Sequence, residues 1–164
     1  RDDGAQAATG EVGEIIVRGP AVFGGYLNAP DDPATQKGVL HTGDLGHLDA
    51  DGDLFVLQRR TDLIVSGGEN VYPAEVEAVL RAHPAVAEVC VAGLPHPEWG
   101  QQVACAVVLR PGAGVDSAAL QMWCRERLAG YKCPRLIRFV AALPMTASGK
   151  VIRREVAALL ASSA

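Results

Sequence analysis

Short β-rich runs and stretches of helical spacing alternate along the chain. Glu14-Ile15-Ile16-Val17-Arg18 reads as a strand closed by Gly19-Pro20. Asn28-Ala29-Pro30-Asp31-Asp32-Pro33 has loop or helix-start chemistry. Leu45 to Leu48 and Leu54 to Leu57 read as two strands joined by a hairpin turn, Asp49-Ala50-Asp51-Gly52-Asp53. Leu63-Ile64-Val65 is a short apolar strand, followed by the turn Ser66-Gly67-Gly68-Glu69-Asn70. Pro73 suits the first turn of a helix in which Val76, Val79 and Leu80 recur at i, i+3, i+4, with Glu75, Glu77 and Arg81 on the other sides. His83-Pro84 ends it. Val86 to Val91 and Val103 to Leu109 are β-branched runs that pair as neighbouring strands. Asp116 or Ser117 caps a second helix with the apolar stripe Leu120, Trp123, Cys124 and Leu128, and Gly130 stops it. Leu136 to Val140 is a further strand, Pro144 to Lys150 a polar loop, and Val151 to Ala161 a last helix. From residue 62 on, this order predicts an α+β domain with a short mixed sheet flanked by about three helices. Residues 1–60 look all-β and show no core of their own, so the boundary is placed between Arg59 and Asp62.

Composition narrows the class. A chain of 164 residues, 49% hydrophobic and 21% charged, is not disordered by composition and has room for one domain or two small pieces. No apolar run approaches the roughly 18 residues of a membrane span. Arg1-Asp2-Asp3-Gly4 lacks the apolar stretch of a signal peptide. Cys90, Cys105, Cys124 and Cys133 form no C-x-x-C pair and have no His at zinc-finger spacing, which reads as reduced thiols in a cytoplasmic protein. The opening on a polar loop without Met reads as part of something longer. The acidic turn does not match a calcium loop: counted from Asp49, the sixth position is Leu54 and the twelfth Arg60, where Gly and Glu are required.

Charge is uneven. Residues 1–60 hold ten acids and five bases, while residues 125–154 hold eight bases and one acid. A basic stretch of that kind suits a phosphate-rich small ligand, although a charge run is more often a solvated face. With one Tyr and one Phe it lacks the interleaved aromatics of a nucleic-acid platform, and the whole chain is acidic.

Three segments stand out chemically. They are Leu40-His41-Thr42-Gly43-Asp44-Leu45-Gly46; Arg59-Arg60-Thr61-Asp62-Leu63-Ile64-Val65-Ser66-Gly67-Gly68-Glu69-Asn70-Val71-Tyr72-Pro73; and Tyr131-Lys132-Cys133-Pro134, continued by Leu143-Pro144-Met145-Thr146-Ala147-Ser148-Gly149-Lys150-Val151-Ile152-Arg153-Arg154. Singly, each has a structural explanation: Asp44 as a turn residue, Gly67-Gly68 as a hairpin turn, Lys150 as a solvated lysine. Lys150 at a helix start would oppose the macrodipole at a cost of a few tenths of a kcal/mol, which suggests another use for the charge.

Together and in this order, the three segments resemble the adenylate-forming superfamily: acyl- and aryl-CoA ligases, peptide adenylation domains and beetle luciferases. The resemblance spans about residues 10 to 156 and is to the last third of such enzymes. It implies residues 1–60 as the closing β-subdomain of a large N-terminal domain and residues 61–164 as the mobile C-terminal domain. The phosphate loop and most of the acyl pocket belong to the part of the N-terminal domain outside this sequence. The implied reaction joins a carboxylate to ATP as acyl-AMP with release of pyrophosphate, then passes the acyl group to CoA with release of AMP. Magnesium would enter with ATP, and no protein ligand for a metal is identified.

By the same resemblance, Lys150 is the adenylation lysine, and Asp44 and Arg59 contact the nucleotide. Thr61 stands at the hinge, where relatives usually carry Asp or Lys. Gly67, Gly68 and Glu69 form the loop that approaches the thiol, and Trp99, Tyr131 and Lys132 belong to the CoA side. Cys133 replaces an Arg found in some relatives. The Ser66–Pro73 stretch looks like fatty acyl-, aryl- and succinylbenzoyl-CoA ligases. Two other readings stay open: an aryl-adenylating domain that loads a carrier protein, and a non-catalytic nucleotide- or CoA-binding module. The expected partners are the missing N-terminal domain and a small carboxylic acid, with no nucleic acid and no membrane span. The chain alone is expected to be inactive.

Overall fold

A computed structural model describes residues 4–27, 32–36 and 38–162. Internal contacts divide the chain into two compact units, Arg1–Thr61 and Asp62–Ala164.

The first unit is a four-stranded antiparallel sheet of β1 (Gly13–Arg18), β2 (Thr35–Gln36), β3 (Val39–Leu48) and β4 (Leu54–Arg59). The ten-residue β3 organises it: β1 runs along one edge, and β2 and β4 share the other. This strand starts six residues before Leu45, because Val39 to His41 already pair with β1. The acidic hairpin turn forms as expected, with Asp49 Oδ1 accepting from Asp51 N–H at 3.0 Å and Asp53 N–H at 2.9 Å. Those bonds already use the Asp49 carboxylate locally. Within the loop expected at 28–33, residues 28–31 lie outside the described residues; Asp32 Oδ1 caps Ala34 N–H at 2.8 Å ahead of β2. Among the described apolar side chains of this unit, only Leu45 is buried, whereas Ile16, Val17, Leu48, Leu54, Phe55 and Val56 are all at least 40% exposed. A cleft of about 580 Å³ opens between the N-terminal segment and β1, lined in part by Ala5, Glu11, Ile15, Ile16 and Leu48. A sheet with so little buried apolar area does not balance its ordering entropy alone.

The second unit has a core on each face of its sheet. β8 (Gly100–Leu109) is central, with antiparallel β7 (Val86–His96) on one side. Its other edge is shared by β5 (Ile64–Ser66) and the parallel β9 (Leu136–Phe139), and β6 (Glu69–Val71) lies outside β5. The strand period of two sorts the side chains. Val89, Val91, Val103, Cys105 and Val107 face one way and pack with Val76 and Leu80 of α1 (Pro73–Arg81) and Leu120 and Cys124 of α2 (Ser117–Arg125). Cys90, Ala92, Ala104 and Ala106 face the other way, against Val156 and Leu160 of α3 (Arg153–Ala161). Small residues on that face let α3 approach closely. The α+β class with three helices and a mixed sheet is thus the observed one.

Several elements begin or end elsewhere than the residue spacing predicts. β7 runs on to His96 and carries Pro95 within it, which is tolerated because β7 is an edge strand. The Ser66–Asn70 turn is tighter than read: Ser66 pairs with Glu69, so β6 follows β5 directly. Asp116 is the N-cap of α2, accepting from Ala119 N–H at 2.8 Å. That helix ends at Arg125 rather than near Gly130, as Arg127 and Leu128 N–H close back on the Cys124 carbonyl and turn Leu128 onto the core. α3 begins at Arg153, since Val151 bridges to Met145 instead of entering the helix.

Candidate functional site

In the first unit, Asp44 sits where β3 departs from regular pairing. Glu14 pairs with Leu45 and Ile16 with His41, so Thr42, Gly43 and Asp44 form a bulge opposite Ile15. Gly43 takes φ +70°, a conformation glycine adopts without penalty. Thr42 Oγ1 donates to the Ile15 carbonyl at 2.8 Å and accepts from Asp44 N–H at 3.0 Å. Glu14 Oε1 accepts from Gly43 N–H at 3.2 Å. The bulge re-aims the Asp44 side chain, the usual effect of this irregularity. Asp44 is cross-strand from Arg59, and Asp44 Oδ1 lies 2.8 Å from Arg59 Nε. The two residues assigned to the nucleotide therefore stand together, and the Asp44 side chain remains 31% exposed. Thr61 is exposed within the single-turn 3-10 helix Arg60–Asp62 and is the last residue of the first unit.

In the second unit, Gly67 and Gly68 are the two central residues of the β5–β6 hairpin, with φ of +60° and +84°. Positive φ at both positions is what a type I′ turn demands, so the turn alone accounts for both glycines. Space outside Gly68 is open. Gly67 N–H donates to the Trp99 carbonyl at 3.0 Å, which seats the hairpin beside the β7–β8 turn. Trp99 is covered on both faces: His96 stacks on it at 4.2 Å and the Arg135 guanidinium carbon lies 3.4 Å from the ring centroid. A flat ligand group has no free Trp99 face in this arrangement. Arg135 was missed at the sequence level, because nothing in its spacing relates it to Trp99. Glu69 is exposed in β6. Tyr131 and Lys132 lie in the short helix Gly130–Lys132, Tyr131 being 40% exposed. Lys132 Nζ bonds both Glu75 carboxylate oxygens at 2.7 Å, and that hydrogen bond raises its pKa despite partial burial. Cys133 is buried, its thiol over the Ala129 carbonyl at 3.7 Å.

Lys150 is exposed in a closed polar loop, three residues ahead of α3 rather than at its start, so its charge is not set in the helix's first turn against the macrodipole. Thr146 N–H donates to the Lys150 carbonyl at 2.8 Å, Lys150 N–H to Thr146 Oγ1 at 3.0 Å, and Gly149 N–H to the Thr146 carbonyl at 2.9 Å. Among the described residues, no carboxylate stands within ion-pair distance of its ammonium. The rest of the basic run is largely used internally. Arg127 covers Trp123 and pairs with Glu126, Arg138 donates to the Leu159 carbonyl, and Arg153 pairs with Glu77. Also among the described residues, no group of three or more His, Cys, Asp or Glu side chains is placed to hold a metal, and no helix is long and apolar enough to cross a membrane.

The second unit, with helices on both faces of its mixed sheet, thus offers an unpaired lysine on a closed loop and a glycine hairpin at the sheet's edge. Residues 75–150 match the AMP-binding enzyme C-terminal domain. The chain is similar to the C-terminal portion of adenylate-forming enzymes. It is 53% identical over 160 residues to the 2-succinylbenzoate–CoA ligase of Geobacillus kaustophilus, covering 96% of this chain and 33% of that protein. The 2-succinylbenzoate–CoA ligase of Bacillus cereus is 51% identical over 150 residues, 90% of this chain and 31% of that protein. Among solved structures, the O-succinylbenzoate coenzyme A synthetase of Bacillus subtilis in complex with AMP is 45% identical at TM-score 0.84, covering 94% of this chain and 32% of that one. The amide bond synthetase McbA of Marinactinospora thermotolerans is 37% identical at TM-score 0.88, covering 97% of this chain and 33% of that one. The chain spans about a third of the length of the curated relatives it matches.

Proposed function

We propose that this chain is the C-terminal part of an AMP-forming acid–CoA ligase acting in the cytoplasm. In this reading residues 1–60 close the large N-terminal domain and residues 61–164 form the mobile domain. The observation that carries the reading is Lys150, an unpaired ammonium held out on a loop closed by its own backbone. Negative charge gathers on the α-phosphate and substrate carboxylate as acyl-AMP forms, and a cation delivered there is worth about 4 kcal/mol at 4 Å once water is excluded to an effective dielectric of 20. Asp44, an acceptor-only carboxylate raised on its bulge, suits two vicinal ribose hydroxyls, and Arg59 beside it suits the nucleotide's phosphate side. ATP brings the magnesium ion. Thr61, between the two units, is the hinge. After rotation the Gly67-Gly68 edge, with Glu69, admits the CoA thiol, while Tyr131, Lys132 and Trp99 line the CoA side. Since Lys132 is tied to Glu75 and Trp99 is covered, their part is to hold that edge in shape.

The exposed apolar side chains of β1 and β4 are the surface on which the remaining two thirds of the protein packs. An aromatic keto acid such as 2-succinylbenzoate is favoured over a fatty acid as the substrate, because both curated relatives named above act on it and share half or more of the aligned residues. CoA is favoured over a carrier protein or an amine as acceptor on the same ground, the amide synthetase being the more distant. In the full-length protein, Lys150→Ala is expected to lower ATP-dependent acyl-adenylate formation at least a hundredfold and to leave thioester formation from supplied acyl-adenylate within twofold. Equal loss of both half-reactions would falsify the role of Lys150.

A further inference from the structure

Asp62, Glu77 and Arg153 come from three places in the sequence: the residue after Thr61, the middle of α1 and the first turn of α3. Their side chains meet in the second unit. Arg153 Nη1 donates to Glu77 Oε1 at 2.5 Å and to the Val91 carbonyl, and lies 3.5 Å from Cys90 Sγ. Arg153 Nε stands 3.3 Å from Asp62 Oδ2, as an ion pair without hydrogen-bond alignment. Glu77 Oε1 also accepts from Val91 N–H at 2.9 Å, and Arg81 approaches Glu77 Oε2 at 3.8 Å. Burial works against the Arg153 charge, and the Glu77 carboxylate outweighs it.

A part-buried ion cluster is a poor device for stability, since well-packed apolar side chains of similar volume often do as well. What the planar guanidinium fork supplies is geometry: it fixes the relative placement of the segments it joins. Two of those segments adjoin the proposed working parts. Asp62 follows Thr61 directly. Arg153 lies three residues beyond Lys150, and the chain between them is pinned by the Met145–Val151 bridge and by Ile152 N–H on the Pro144 carbonyl at 2.9 Å. No loose segment therefore separates Asp62 from Lys150 along this path. The Gly67-Gly68 turn reaches Asp62 by another path, through β5.

We propose that Asp62 and Arg153 are positioning residues that lock the first residue beyond Thr61 to the base of the Lys150 loop, so that rotation at Thr61 carries the ammonium as a rigid lever. The proposal rests on the roles given above to Lys150 and Thr61. Asp62→Asn in the full-length protein keeps the Arg153–Glu77 pair and releases only the hinge side. Acyl-adenylate formation should slow about tenfold in kcat, with KM for ATP within twofold, a loss of the order expected from misplacing a reacting group without removing it. Thioester formation from supplied acyl-adenylate should stay within twofold. Tryptic cleavage after Arg60 should quicken severalfold, and Asp62→Glu should recover most of the lost rate. Arg153→Lys, which keeps a cation facing Glu77 but not the fork, is read by the same split between half-reactions. Equal change in both half-reactions, or none in either, overturns the lock. Lys150→Ala is assayed alongside. If it forms acyl-adenylate at the wild-type rate, the proposed function itself fails. If it is inactive while Asp62→Asn is unaffected, the lock alone fails.

Discussion

Glu77→Gln probes the ion cluster as a source of stability. The Glu77 side chain is 12% exposed and the Arg153 side chain 28%. Breaking a fully buried pair by neutralising one partner costs about 3–5 kcal/mol. Here the Gln amide oxygen still accepts from Val91 N–H, and Arg153 keeps the Val91 carbonyl and Asp62, so part of the lost compensation survives. We expect a loss of about 2–3 kcal/mol, below that range because the cation is incompletely buried. Trp99 and Trp123 both lie in the second unit, so tryptophan fluorescence in urea reads that unit's unfolding. With a urea slope of about 1–3 kcal/mol/M, the midpoint should fall by about 1–2 M. In a double-mutant cycle with Arg153→Met, the pair should cost less than the sum of the singles by about 1 kcal/mol or more, because the second change removes the charge stranded by the first. Strict additivity, or a Glu77→Gln cost under about 0.5 kcal/mol, would refute this account of the cluster.

Two further tests are independent of that cluster. Lys132 is held by Glu75, which raises its folded pKa above the unfolded value, so the stabilisation is complete below about pH 10.5 and is lost as pH rises through the folded value. The stability gap between wild type and Glu75→Gln, about 1 kcal/mol or less for so exposed a partner, should be level from pH 7 to 9 and close above about pH 10.5; a gap that widens there contradicts it. All four cysteines are buried, and burial pushes the Cys90 and Cys124 thiols up to about 11 and raises Cys105 and Cys133 as well. At pH 8 a thiol reagent should therefore label the folded chain slowly and all four cysteines rapidly in denaturant, and fast labelling of the native chain would show the thiols accessible.

The three motif segments were legible because each is built from short continuous stretches of the chain. His41 to Asp44 announces a turn-rich strand, Gly67-Gly68 a tight hairpin, and the Thr146–Lys150 stretch a loop whose bonds run between residues at most four apart. Arg135 over Trp99 and Lys132 on Glu75 were not legible, since these partners lie 36 and 57 positions apart and only the fold brings them together. Glu77 looked like a solvated helix position and Arg153 like one member of a basic run. The basic run itself misled: counting charges could not show that Arg127, Lys132, Arg138 and Arg153 each have an internal partner.

By itself the sequence determined the local periods, and with them the class of fold and the order of its elements: alternation in β7 and β8, helical spacing in α1 and α2, glycines where positive φ is required. It also set the chemistry available, one lysine after Ser148-Gly149 and one aspartate after Thr42-Gly43. Only the tertiary structure decided which charges are spent and which are free. Whether a side chain faces a carboxylate or solvent depends on segments brought together across the sheet, and the energy of an ion pair falls with distance in space, not with distance along the chain.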